Sequence, residues 1–184
     1  MHLTIGSTYI LVMNPTFAVR DAVFDDLKAM LDIYNAEVVR GTATWDTEER
    51  TWEAQVAWWE AHARPYCVIV AVEANGTVVG WGSLSRFHPR AGYRFTVEDT
   101  VYVRPDRQRR GIGRAILSHL VTRGQAAGFR AMLGKISGDN DASIELHRAC
   151  GFFEAGRERE LGYKFDRWLD VVTMQLLLEP RPDP

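Results

Sequence analysis

Cysteine is nearly absent: Cys67 and Cys150 are the only two in 184 residues. Two thiols cannot build a disulfide framework, and neither belongs to a run with metal-ligand spacing, so a reducing, cytoplasmic setting and no metal are expected. Charge of one sign is also missing. The chain has 22 lysines and arginines against 24 acidic residues, a net charge of −2, which argues against a nucleic-acid-binding protein. The apolar run Tyr9–Met13 is short and has neither a basic leader nor a small-residue cleavage site. That excludes a signal peptide and a membrane span. There is no internal repeat, no low-complexity tract, no Gly-Lys-Ser/Thr after a glycine loop and no serine elbow. What remains has the ordinary composition of a folded domain, 46% apolar and 25% charged. One domain over residues 16–178 is expected, with a flexible extension over 1–15 and a proline-rich tail over 179–184.

The most informative segment is Thr100–Arg114. Val101, Tyr102 and Val103 are strand formers, and Pro105 cannot continue a ladder. From Ile112 the apolar residues Ile112, Ile116, Leu117, Leu120 and Val121 follow a helical face. A helix therefore starts inside Gly111-Ile112-Gly113, with free N–H groups at its end and Arg109, Arg110 and Arg114 around it. This is a place for a phosphate or pyrophosphate. A solvated turn or a local nucleic-acid patch would also explain the arginines. A dinucleotide fingerprint is excluded, because position 116 is Ile where a third glycine would stand.

The rest of the chain reads as β-α-α-β-β-β-α-β-α-β-β, a mixed α/β layer fold with an antiparallel first half. Phe17–Arg20 is a strand, and a helix opened by Asp25 follows. Asp46 and Glu49 suggest a capping box for a second helix bearing Trp52, Val56 and Trp59. Asn75-Gly76 joins two strands in a hairpin, and a long strand should run from Tyr93 to Val103. Strand 131–136, helix 141–150 closed by Gly151, and two last strands complete the order.

Two side chains stand out. Glu98 lies among strand formers, with Thr96, Thr100 and Tyr102 on one face and Asp99 with Val97 and Val101 on the other. A half-buried carboxylate there has a raised pKa, suited to a general base, but an ion pair with Arg94 would explain it as well. His147 shares a helix face with Ser143 and Ile144 and points partly inward. It reads as a catalyst or as a core histidine, and Asn140 just before that helix is a natural N-cap.

Together these segments resemble the GNAT superfamily of acetyl-CoA-dependent N-acetyltransferases. Gln108–Arg114 is similar to its pyrophosphate loop, and Asn140 through Phe152 to its second CoA-contacting segment. Gly41–Thr47, Ala91–Glu98, Leu146-His147 and Lys164–Val172 resemble the phosphinothricin acetyltransferase branch, so the likeness spans about Phe17 to Leu178. It implies a GNAT fold whose mixed sheet splays after the Glu98 strand, with helices on both faces. It implies that acetyl-CoA is held by Val101, Tyr102, Val103, Arg109, Arg110, Gly111, Ile112, Gly113, Arg114, Asn140 and Ser143, with Glu98 as base and His147 as acid. The branch acetylates the α-amine of phosphinothricin, methionine sulfoximine or methionine sulfone. Trp45, Arg90, Tyr93 and Arg94 are then expected to bind the small-molecule amine, and a homodimer is expected. Trp45 stands where the branch usually has Phe, and Asp166 where it usually has Gly. Acetylation of a protein N-terminus or lysine, or a non-catalytic acyl-CoA sensor, stays open at this point.

Overall fold

The computed structural model describes residues 13, 14, 16–62 and 64–179; most of the expected extension over 1–15, and all but the first residue of the expected tail over 179–184, lie outside the described residues. Eight strands form one sheet in the order β1-β2-β3-β4-β5-β6-β8-β7. These are β1 (Met13–Asn14), β2 (Phe17–Asp21), β3 (Cys67–Glu73), β4 (Val78–Arg86), β5 (Thr96–Val103), β6 (Ala131–Ser137), β7 (Phe153–Lys164) and β8 (Arg167–Leu177). The helices are α1 (Leu27–Arg40), α2 (Trp52–Glu60), α3 (Ile112–Ala126) and α4 (Asp141–Ala149). The mixed α/β class and its order follow the sequence reading, with the short pairing strand β1 added at the front.

Strand alternation sends the two kinds of apolar residue to opposite faces. Val70, Trp81 and Tyr102 meet Leu27, Met30 and Tyr34 of α1, with α2 beyond them. On the other face Ile69, Val79 and Val97 meet Ile116, Leu117 and Leu120 of α3, and Ile144 of α4 joins them. Trp81 is fully buried and its Nε1–H donates to the Met30 carbonyl at 3.1 Å, so α1 is tied to β4 by a bond as well as by packing.

The join between the sheet's two halves positions the site. β5 and β6 run parallel and pair only through Thr96–Ala131, Val97–Met132 and Glu98–Leu133. Beyond Glu98 the strands part, as the resemblance implied. Arg104 N–H donates to the Val79 carbonyl of β4 at 3.0 Å. Antiparallel alternation then turns the Tyr102 and Thr100 backbone toward β4 and leaves the Val101 and Val103 N–H groups facing the gap.

Three local expectations are corrected. Helix α2 is capped by Thr51, whose side chain accepts from Ala54 N–H, and the Asp46/Glu49 box does not form. Asp46 accepts from the Tyr34 hydroxyl and pairs with Arg50 at 3.9 Å, a long-range demand that outweighs local capping. Strand β5 starts at Thr96, because Ala91–Tyr93 forms a 3₁₀ turn. Arg94 lies over the Phe95 ring at 4.4 Å and makes no ion pair with Glu98.

The β7–β8 hairpin turns on Phe165 and Asp166, at φ of 54° and 56°. Both occupy left-handed backbone that costs a non-glycine residue roughly 1–2 kcal/mol, and Asn-Gly is the pair such a turn favours. Replacing Phe165-Asp166 by Asn-Gly should raise unfolding free energy by about 1 kcal/mol, measured by urea denaturation. A fall would show that the Lys164 contact with the Phe165 ring matters more than the backbone.

Candidate active site

Two adjoining cavities occupy the gap between β5 and β6. The larger, about 480 Å³, runs from the glycine loop past Val101 and Val103 to Asn140 and Leu146. The smaller, about 210 Å³, lies between Glu98, Lys135, His147 and the roof residue Trp45. Ala43, Val101, Tyr102, Asn140 and Ser143 line both, so one elongated cleft passes through the sheet.

The floor of the larger cavity suits a polyanion. Arg109 and Gly111 have φ of 62° and 81°, which coils the loop so that α3 begins at Ile112. The N–H groups of Gly111, Ile112, Gly113 and Arg114 have no backbone acceptor among the described residues. Arg109 and Arg114 border the cavity and make no salt bridge among the described residues, whereas Arg107 is spent on Glu73 at 2.7 Å and on Asp106. Exposed Arg110 is not part of the cavity wall. Asn140 accepts from Ser143 N–H at 3.1 Å, so its side chain caps α4 while facing the cleft.

Glu98 and Asp99 are neighbours in sequence on opposite faces of the sheet, and their surroundings separate them. Glu98 is half-buried and makes no hydrogen bond to another described residue. Burial, followed by the Asp99 carboxylate, raises its pKa, and Lys135 offsets part of the rise. A carboxylate held above its usual range with free lone pairs is the state a general base requires.

Asp99 is buried and its Oδ1 meets His147 Nε2 at 3.0 Å, the two side chains being 1% and 4% exposed. His147 Nδ1 lies 2.7 Å from the Ser143 carbonyl, so that nitrogen carries a proton and donates. Burial opposes charge on the ring, but Asp99 and the Ser143 carbonyl outweigh it and lift the pKa above the ordinary histidine value. His147 thus lines the cleft with both ring nitrogens engaged. Only glycine fits opposite it: a Cβ at Gly134 of β6 would come within 2.7 Å of His147 Nε2. Asp99 Oδ2 is buried without a partner among the described residues and borders the cleft, so a donor entering there would satisfy it.

The roof, residues 41–50, is strapped from several elements. Tyr34 hydroxyl meets Thr44 Oγ1 at 2.9 Å, Tyr102 hydroxyl donates to the Ala43 carbonyl at 3.3 Å, and buried Lys164 donates to the Thr44 carbonyl at 2.9 Å. Asp139 accepts from Thr42 at 2.8 Å, Ser137 at 2.6 Å and Arg167 at 2.5 Å, joining the roof to the ends of β6 and β8. The Trp45 ring packs against β7, where a Cβ at Gly162 would come within 2.0 Å of it.

The structure therefore brings Glu98, His147, Trp45, Asn140, Ser143 and the glycine loop to one cleft. It does not bring Arg90, Tyr93 and Arg94 there. All three are exposed on the turn before β5 and border neither cavity; Tyr93 packs edgewise on Phe87 and beside His88. The 3₁₀ turn carries them away from the strand that would have aimed them inward. Sequence reasoning also missed Asp99, Lys135 and Asp139. Lys135 could have been found by the argument used for Glu98, as a charge inside a strand-forming run. No helix among the described residues is long and apolar enough to cross a membrane, and no cluster of three or more His, Cys, Asp or Glu residues among them could hold a metal ion.

A strand gap opening onto a basic glycine loop, with an unbonded carboxylate on one face, fits an acyl-CoA-dependent acyltransferase. The chain belongs to the acetyltransferase (GNAT) family, whose sequence profile it matches over residues 27–152, and it is an N-acetyltransferase that uses acetyl-CoA. Among its relatives, an L-methionine sulfoximine/L-methionine sulfone acetyltransferase of Pseudomonas paraeruginosa is 42% identical over 164 residues, 89% of this chain and 95% of the relative. A phosphinothricin N-acetyltransferase of Alcaligenes faecalis is 39% identical, over 82% of this chain and 77% of the relative. In structure, a GNAT superfamily phosphinothricin acetyltransferase from Sinorhizobium meliloti in complex with acetyl-CoA superposes with a TM-score of 0.85 at 38% identity, over 90% of this chain and 94% of that one.

The buried His147–Asp99 pair sets a pH dependence. Because the folded pKa of His147 is raised, its contribution to stability is complete below the unfolded histidine value, near 6.5, and is lost as pH rises through the folded value. Unfolding free energy of the parent should therefore fall with rising pH across that window relative to His147→Phe, followed by urea denaturation at several pH values. Parallel curves would mean that the ring titrates alike in the folded and unfolded chain, and a parent curve that rises with pH would mean that the ring is neutral when folded.

Proposed function

We propose that the enzyme acetylates the α-amine of a small amino-acid-like substrate of the phosphinothricin, methionine sulfoximine or methionine sulfone type, by direct transfer in a ternary complex. The observation that carries this is Glu98, an unbonded carboxylate on the wall of a small roofed cavity that adjoins a long one floored by arginines and free N–H groups. Arg109, Arg114 and the N–H groups at the start of α3 hold the pyrophosphate, and the gap along Val101–Val103, with Asn140 and Ser143, takes the pantetheine arm. Bound there, acetyl-CoA supplies an activated acetyl thioester.

An ammonium cannot attack until it loses a proton, and Glu98 receives it, directly or through water. The Val101 N–H, turned into the gap, is aimed at the acyl oxygen as negative charge develops. His147, whose protonated form is favoured by Asp99 and the Ser143 carbonyl, stands on the α4 wall as the donor for the departing sulfur. Passing a proton to that sulfur costs His147 one of its two hydrogen bonds, to Asp99 or to the Ser143 carbonyl. Holding both reactants in one cleft contributes more than either proton transfer.

Trp45 and the strapped roof close the small cavity, which favours a free amino acid over a protein N-terminus or lysine. We also read residues 16–178 as one domain on the strength of the continuous sheet, and the protein as cytoplasmic on the strength of its two free cysteines. A homodimer is supported by Leu161, Tyr163 and Trp168, exposed on the β7–β8 edge. Gel filtration tests it.

The function is tested by following free thiol while the enzyme meets acetyl-CoA and a panel of phosphinothricin, methionine sulfoximine, methionine sulfone, plain amino acids and an N-terminal peptide. Turnover confined to the peptide would replace the substrate assignment, and acetyl-CoA binding without any turnover would point to a sensor. Glu98→Gln should lower kcat/KM about 10²- to 10⁴-fold at neutral pH with acetyl-CoA affinity retained. The parent's rate should fall as pH drops through the raised Glu98 pKa, above the usual carboxylate range. An unchanged rate in the variant removes Glu98 from the mechanism.

A further inference from the structure

Lys135 is the single lysine or arginine lining the smaller cavity, and no step above uses it. Its place follows from register. Glu98 pairs with Leu133 across the β5–β6 join, so Leu133 and, two residues on, Lys135 share the face of the sheet that carries Glu98. Across β6–β8, Lys135 pairs with Thr173. Its ammonium donates to Thr173 Oγ1 at 2.7 Å and to Glu158 Oε1 at 3.4 Å. An ammonium has three donors, so one is left for the cavity. Both side chains line the smaller cavity, and the Lys135 charge offsets part of the rise in the Glu98 pKa.

The remaining charges on that wall are unsuited to an anion. Asp46 is held by Tyr34 and Arg50, Glu98 is itself a carboxylate, and His147 has both ring nitrogens engaged, by Asp99 and by the Ser143 carbonyl. A substrate bearing only an amine would need no cation here. An α-amino acid carries ammonium and carboxylate on one carbon, so the groups that recognise them must be neighbours on one wall. Glu98 and Lys135 are such a pair, while Arg90 and Arg94 lie outside the cavity.

We propose that Lys135 is the specificity-determining anchor for the substrate's carboxylate, holding it on the β6–β8 side of the cavity while Glu98 takes the proton from the adjoining ammonium. This rests on the small-amine reading given above. It accounts for how a cavity lined by three carboxylates accepts a zwitterion, and it selects α-amino acids over simple amines.

The test compares methionine sulfone with 3-(methylsulfonyl)propylamine, the same amine without its carboxylate, in the parent, Lys135→Met and Lys135→Arg. The parent should prefer the amino acid. In Lys135→Met the ratio of kcat/KM values, amino acid over amine, should fall roughly 10- to 100-fold, the worth of one hydrogen bond to a charged group, and Lys135→Arg should recover part of it. An unchanged ratio, whether both rates fall together or neither does, overturns the assignment. So does a parent that prefers the carboxylate-free amine, although acetyl transfer to small amines would then stand. If the parent binds acetyl-CoA but acetylates neither compound, the small-amine reading fails and the Lys135 assignment falls with it.

Discussion

The parting of β5 from β6 beyond Glu98 and Leu133 is the constraint on which the rest of the molecule depends. Two parallel strands that pair for three residues and then separate forgo hydrogen bonds they could have made, and the freed N–H groups are costly unless something else takes them. At the fork sits a pair of side chains. His147 and Asp99 lie against Gly134 on the α4 side, bonded to each other and, through Nδ1, to the first turn of α4. Closing the strands would press β6 into the imidazole. The same pair that lines the opening also charges it, so architecture and electrostatics meet in three residues drawn from β5, β6 and α4.

Strand alternation turns this opening into two chemically distinct sides. Glu98 and Asp99 are chemically almost the same, yet one is a half-buried acid without hydrogen bonds and the other is locked in a buried ion pair. Their faces of the sheet, and not their chemistry, decide which can accept a proton from substrate. Separating two carboxylates by environment is how one site runs different proton chemistry at one pH. A one-residue slip in β5 would exchange them, and the register is held by Trp81 opposite Tyr102 and by Val97 in the α3 core.

Legibility in the sequence tracked the range of the interaction. The glycine loop, the Asn75-Gly76 hairpin and the Asn140 cap are set by neighbours within a few residues, and all were readable from the chain. So was the alternation that put Glu98 and Asp99 on opposite faces. What was misread at Asp46, and unforeseen at His147, depended on distant partners. Asp46 is four residues from Arg50 but twelve from the Tyr34 hydroxyl that engages it, and His147 is 48 residues from Asp99. Arg90, Tyr93 and Arg94 were expected at the substrate from the family resemblance, on the loop entering β5, and that loop, with its 3₁₀ turn at Ala91–Tyr93, leaves them exposed and outside both cavities. Lys135 was passed over because a lone charge in a strand was weighed at Glu98 and not again at β6.

The roof shows where substrate choice can change without loss of the fold. Its backbone is fixed from beneath by Tyr34 and Tyr102, from β7 by Lys164 and from β6 and β8 through Asp139. Trp45 is less constrained, because its ring rests on a glycine of an edge strand, and its width is accommodated only because position 162 has no side chain. Position 45 and position 162 therefore form a unit: a smaller ring at 45 would leave a space that a side chain at 162 could fill, and a larger residue at 162 would displace the indole. The cofactor site, built from backbone and arginine, is indifferent to that exchange. The smaller cavity is not, since Trp45 and Lys135 line it together with Glu98.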